Sequence, residues 1–324
     1  MDQLRSLRVF VRVIDEGSFA GAARVLDLAP AVVTRVVAEL EEHLGARLLN
    51  RTTRRLALTE IGETYLERAR RILVDVEEAD ALAGASTAEA RGTLRVLAPP
   101  AFAVHQLAKH LPRFREKYPR VNLELTLPGP VETLDENFDV SILSTGQQTL
   151  QGDFVARPLA CSEFVACAAP SYLDRRGRPQ HPNDLAQHDG VLPATSATRR
   201  ALTLYRGKAG DRQATESAVT IPTPSAALTT SHIDTIYSAA LAGLGIAGLP
   251  SFVIEEALRR GTLERVLPQW RGVTLTLYAA MPTRRHAPAR TRVFIDFLVQ
   301  TFGGQKVDPW LRAAGRAIAQ RGRP

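Results

Sequence analysis

The chain has 324 residues, of which 45% are hydrophobic and 23% charged; this suits two folded domains and excludes an extended disordered chain. Its formal charge of +7 favours anionic partners, but residues 1–60 hold nine Arg against eight acidic residues, so a nucleic-acid reading must rest on clustering. Two cysteines, Cys161 and Cys167, exclude a disulfide framework and lack zinc-ligand spacing, so neither metal nor cofactor is expected.

No basic segment leads into an apolar one at the start, and no apolar run is long enough to span a bilayer. A cytoplasmic chain without membrane contact is expected.

Residues 3–16 read as an amphipathic helix, with Leu4, Leu7, Phe10, Val11 and Ile14 on one face. Gly17 ends it and Ser18 caps a second helix, Phe19 to Leu26, whose Ala20, Ala22 and Ala23 permit close packing. Asp27, Leu28 and Ala29 form a turn. Pro30 suits the first position of a third helix, where its missing N–H costs nothing. Val33, Val36, Val37, Leu40 and Leu44 make the inward stripe of this helix, with Ala31, Thr34, Arg35 and Ala38 on the other side. Such a pair of helices is a helix-turn-helix, and its second helix reads bases in the major groove.

Residues 47–59 suggest two short strands with a basic tip, a wing. Arg51, Arg54 and Arg55, with hydroxyls at Thr52 and Thr53, suit phosphate and minor-groove contact. The stretch FVRVIDEGSFAGAARVLDLAPAVVTRVVAELEEHLGARLLNRTTRRLALTEIGE resembles the LysR-type transcriptional regulators in the order and spacing of its parts. It departs where the family usually has hydroxyl residues around the start of the third helix; this chain has Ala29 and Ala31. The resemblance implies double-stranded DNA with an inverted-repeat operator as partner. The contacting residues would be Ser18, Phe19, Pro30, Ala31, Thr34, Arg35, Arg51, Thr52, Thr53, Arg54 and Arg55.

From Glu60 to about Leu82 a long helix carries Leu66, Ala69, Leu73, Val76 and Ala83 at coiled-coil spacing, interrupted by Asp80. The resemblance implies that it pairs with a second subunit in a dimer or tetramer; packing against its own C-terminal domain is the other reading. Residues 84–88 look like a linker.

Beyond Thr93, strands alternate with helices. Strands are expected at 94–97, 121–127, 140–143, 246–249 and 273–280, with helices at 107–118, 233–242, 252–260 and 289–301 and an amphipathic segment at 131–137. GTLRVLAPPAF, FDVSIL and AALAGLGIAGLP are similar to landmarks of the family's effector domain. The implied fold is α+β overall: a winged helix-turn-helix at 1–59, a linker helix at 60–91, and a two-lobed α/β domain at 92–303 like periplasmic binding proteins. One lobe would take 93–160 with 268–302, the other 161–267.

Ligands of an open α/β sheet sit beyond the carboxyl ends of its strands. This singles out Pro100, Ala101 and Phe102, Ser144 and Thr145, the loop residues Thr195 and Ser196, and Ser231 and His232 before a helix. A helix N-terminus favours an anionic group, so an organic acid is the expected effector class. The family's usual hydroxyl near Pro100-Ala101 and its Arg at Leu143 are absent, which removes polar handles and leaves a less polar effector, an effector bound elsewhere and no effector as alternatives.

No Walker loop, nucleophile elbow or dinucleotide fingerprint occurs, so an enzyme is not expected; GLGIAG at 243–248 runs from helix to strand, the wrong order for a nucleotide loop. A transport solute-binding protein would suit the α/β part but not the N-terminal sixty residues. RNA polymerase is a further partner for a regulator of this kind. The basic tail from 304 has Trp310, Leu311, Ala314 and Ile318 on one potential helix face, with DNA, a second subunit or no partner all open to it.

Overall fold

The computed structural model describes residues 2–52, 55–83, 90–146, 150–194, 201–207, 218–283, 287–304 and 308–321. It divides into two compact units, Met1–Glu89 with Arg285–Ala289, and Ala90–Arg284 with Arg290–Pro324.

The first unit opens with α1 (Gln3–Asp15), α2 (Phe19–Leu26) and α3 (Pro30–Leu44). Local chemistry fixes the ends. The Ser18 hydroxyl accepts the Gly21 N–H at 3.0 Å, Asp27 ends α2 in the left-handed region at φ 52°, and Gly45 does the same for α3. Val9, Phe10, Val13, Ala22, Ala23, Val33, Val37 and Leu40 form the core between them, joined by Leu48, Leu49 and Leu66. Each large side chain buried here contributes about 1.5–3 kcal/mol. Strands β1 (Leu49–Thr52) and β2 (Arg55–Leu58) pair antiparallel as the expected wing. Thr59 then caps α4 (Glu60–Ala83), its hydroxyl accepting the Gly62 N–H at 2.9 Å and donating to the Arg47 carbonyl at 2.7 Å. The linker at 84–88 lies outside the described residues.

In the second unit, β3 (Gly92–Leu97) lies between β4 (Val121–Thr126) and β5 (Val140–Thr145), parallel to both. Next to β5 come β14 (Thr274–Pro282) and then β6 (Phe154–Ala168), both antiparallel to their neighbours. Past Glu163 the same β6 turns to other partners: β11 (Ile246–Pro250) pairs with it, then β7 (Gly190–Pro193) and β10 (Ala226–Thr230). One strand therefore belongs to both sheets. The return crossing lies beside it, where the Gly272 N–H donates to the Phe164 carbonyl at 2.7 Å and the Phe164 N–H donates to the Val273 carbonyl at 2.9 Å. A Cβ at position 272 would sit 3.1 Å from that of Phe164, so glycine suits the close approach. Strands β8 (Ala201–Arg206), β9 (Ala218–Pro222) and β13 (Trp270–Arg271) form a small separate sheet, and β12 (Glu264–Arg265) extends the pairing of β6.

Several expectations shift. The helix expected from 107 begins at Pro100 as α5 (Pro100–Phe102) and runs through a π-helical turn (Ala103–Leu107) into α6 (Ala108–Lys117). Pro100, three residues past the end of β3, supplies the first helical position. Strand β5 does not stop at Leu143: Ser144 and Thr145 keep pairing, opposite Leu277 and Thr276. Residues 131–137 form no regular helix, although Val131 is buried under Leu97, Leu143 and Ala280. Among the described residues the further α-helices are α7 (Pro170–Arg176), α8 (Ile233–Leu241), α9 (Ser251–Arg260), α10 (Ala289–Phe302) and α11 (Pro309–Arg321), with a 3-10 helix at Pro182–Gln187.

Candidate nucleic-acid interface and effector site

The start of α3 presents a face that the core does not use. Pro30, Ala31 and Arg35 are exposed and Thr34 is half-buried. The Thr34 hydroxyl donates to the Pro30 carbonyl at 3.0 Å, which parks it against its own helix. Arg35 has 73% of its side chain exposed and meets Glu39 one turn on at 3.4 Å. Ser18 is exposed at the head of α2, and Phe19 beside it packs partly on the core. Arg51, Thr52 and Arg55 lie on the paired wing strands, whereas Thr53 and Arg54 lie outside the described residues. A carboxylate that sequence reasoning overlooked holds this unit's turn: Glu41 Oε1 accepts the backbone N–H of Leu48 at 2.8 Å and of Leu49 at 3.0 Å.

Helix α4 divides its apolar seam. Leu66 and Ala69 are buried, and the Phe10 and Tyr65 rings meet at 5.8 Å. Arg70 ties the helix to Asp15 of α1 at 2.5 Å. Ile61 and Ile72, by contrast, are exposed large apolar side chains on it.

In the second unit the expected effector residues fall into distinct settings. Phe102 is wholly buried, its ring 5.7 Å from Phe252 and 5.2 Å from Phe302. Ala101 is buried and Pro100 half-buried. Ser144 donates its N–H to the Val131 carbonyl, and Thr145 is buried. Ser231 and His232 are exposed at the head of α8, where His232 Nδ1 lies 2.9 Å from the Thr235 hydroxyl. Thr195 and Ser196 lie outside the described residues.

Two of these groups are joined by residues that the sequence did not single out. His105 Nε2, from the π-helical turn after Phe102, lies 2.7 Å from Asp234 Oδ1. Asp234 also faces His232 at 3.9 Å. The His105 ring rests edge-on against Tyr237 at 5.0 Å, and burial raises the Tyr237 pKa. Gln106 donates to the Phe252 carbonyl at 2.6 Å. The segment 100–107 and the heads of α8 and α9 therefore converge. Asp234 already places a carboxylate in the first turn of α8, so that helix end is partly neutralised from within.

Cys161 and Cys167 are buried on β6, and burial pushes the Cys167 thiol up to about 12. A thiol in that state is a small apolar filler. Among the described residues, no group of three or more His, Cys, Asp or Glu is placed to hold a metal ion. Within them, no helix is long and apolar enough to cross a membrane.

Residues 4–63 match the family of bacterial regulatory helix-turn-helix proteins of the LysR type, and residues 87–303 match the LysR substrate binding domain. The chain belongs to the LysR family of transcriptional regulators. It is 35% identical over 301 residues to the HTH-type transcriptional regulator CrgA of Neisseria meningitidis, spanning 92% of this chain and 96% of that one. It is likewise 35% identical to the uncharacterized regulator YhjC of Escherichia coli over 92% of this chain and 97% of the relative. The solved CrgA structure is similar with a TM-score of 0.56 at 32% identity, covering 92% of this chain and 98% of that one. The full-length virulence activator AphB of Vibrio cholerae gives 0.57 at 27%, covering 92% and 99%. This LysR-type regulator thus pairs a DNA-binding helix-turn-helix with a two-lobed effector-type domain.

Proposed function

We propose that the protein is a sequence-specific regulator that binds an inverted-repeat operator as a dimer or pair of dimers, under control of a small molecule bound between its two lobes. The supporting observation is the free face of α3: Ala31 and Arg35 are exposed at its N-terminal end while Val33, Val36, Val37 and Leu40 hold the opposite face in the core. A helix seated in this way can enter a major groove without disturbing its own packing. Ser18, Phe19, Pro30 and Thr34 flank that face, and Arg51, Thr52, Thr53, Arg54 and Arg55 of the wing supply phosphate contacts.

The DNA-binding part comprises residues 1–59, the linker helix 60–91 and the effector domain 92–303, with lobes at 93–160 plus 268–302 and at 161–267. Both crossings at Phe164 and Gly272 are in keeping with that division. The effector, an organic acid in this reading, contacts residues among Pro100, Ala101, Phe102, Ser144, Thr145, Thr195, Ser196, Ser231 and His232. Since Phe102 is sealed by aromatic rings, the polar groups at 231–232 and around His105 are the better handles for a carboxylate.

A mobility shift with DNA from upstream of the protein's own gene, against unlabelled random competitor, tests the reading. Binding that survives competitor is expected. Absence of any shift even at low salt would end it.

A further inference from the structure

The segment Asp308–Ala314 lies beyond residue 303, where the family domain ends, and is packed into the regulator. Trp310 of α11 is only 4% exposed. Its ring lies 6.5 Å from Phe102 of α5 and 6.3 Å from Phe302 of α10, in the lobe of β3, and 5.7 Å from Phe252 of α9, which follows β11 in the other lobe. Ala314, one turn on, is also buried.

Asp308 caps the same helix, accepting the N–H of Trp310 at 3.0 Å and of Leu311 at 2.9 Å. Its second oxygen accepts the N–H of Glu163 at 2.9 Å. Glu163 is the residue at which β6 leaves β14 for β11, and its neighbour Phe164 is bonded to Gly272 and Val273 of the return crossing. The Ser251 hydroxyl, at the head of α9, also bonds Asp308 and lies 2.8 Å from that of Ser162 on β6. This segment thus holds Phe102 and Phe302 of one lobe, Phe252 and Ser251 of the other, and the backbone of the hinge.

We propose that Asp308–Ala314 is a clamp across the hinge, which restrains the angle between the lobes and against which any effector-driven movement must work. The clamp rests on the two-lobed fold and needs no effector for its test. Ring packing supplies the grip, because separating the lobes would part Trp310 from either Phe102 or Phe252 and expose apolar surface. The carboxylate fixes the register, because it bonds the hinge backbone directly.

Site-resolved hydrogen exchange on the full-length protein, parent against Trp310→Ala, tests the clamp. Amides of 160–165 and 272–275 should exchange faster by on the order of tenfold. Those of Leu94–Leu97 and Ala247–Leu249, inside each lobe's sheet, should keep parental rates, and Trp310→Phe should stay near the parent throughout. Unchanged rates at the crossings, or equal acceleration across both sheets, would overturn the clamp. If Trp310→Ala does not fold, Asp308→Asn decides by the amides of 272–275, none of which bonds Asp308. Faster exchange confined to them supports the clamp, and no change or a uniform change refutes it.

Discussion

Glu41 holds Leu48 by a single carboxylate oxygen, 2.8 Å from the Leu48 N–H, and the same atom takes the Leu49 N–H at 3.0 Å. The third helix therefore positions the first wing strand directly. Both amides belong to residues whose side chains are buried, so water is a poor substitute. Glu41→Ala should destabilise the winged unit by about 1–3 kcal/mol. Exchange of the Leu48 and Leu49 amides should accelerate accordingly, and Glu41→Gln, which keeps an acceptor, should lose less.

Gly62 sits beneath that same turn. A Cβ there would lie 2.0 Å from the Leu48 carbonyl oxygen, a backbone atom that cannot rotate away. Gly62→Ala should cost about 1–3 kcal/mol or more through forced backbone movement. A circular-dichroism melt should show the loss, and operator affinity should fall with it.

Arg35 is held by Glu39 on an exposed helix face. Arg35→Ala should weaken operator binding by about 1–3 kcal/mol and relax specificity at one base position. Glu39→Gln removes a carboxylate from the helix face proposed to meet DNA and should strengthen binding, most visibly at low salt. Arg54→Ala should instead weaken binding to every sequence and reduce the salt slope by about 0.9 per lost phosphate contact. Titrations at several salt concentrations separate the two behaviours.

His188 is buried beside Tyr172, whose hydroxyl lies 3.3 Å from Nδ1, and burial followed by the nearby Arg176 lowers its pKa. The folded state therefore favours the neutral ring. The unfolded chain takes up the proton first, at the ordinary histidine value of about 6.5, so stability from this source is present above that pH. It is lost as pH falls from there towards the depressed folded value. Denaturant unfolding between these limits should show stability rising with pH, with a flatter rise in His188→Asn.

The winged unit was legible almost residue by residue because its signals are local. Ser18, Gly45 and Pro30 mark helix ends by their own backbone preferences, and the apolar spacing of α3 leaves one face for the core. The second unit was legible in its alternation but not in its seams. Strand β6 carries Pro158 and is buried on both sides from Leu159 to Ser162, so neither a clean alternation nor an uninterrupted β pattern announces it. Ser144 and Thr145 look like turn residues, yet β14 opposite them carries the strand on. The contacts of His105 with Asp234 and of Asp308 with Glu163 span more than a hundred residues, a separation at which sequence pattern has no reach. An Asp-Pro pair ahead of Trp310 did carry a helix-start signal.

Strand β6 is one unbroken run of fifteen residues, shared end to end between two sheets. At roughly 3.3 Å per residue it is a rod of about 50 Å. A rod of this kind transmits torque. One sheet grips residues 154–163 and the other residues 164–168, so turning one lobe must wring the rod about its own axis, and the twist is concentrated where the grip changes hands at Glu163 and Phe164. Small angular changes set at that handover follow from such a shaft, in place of a wide swing about a slack joint.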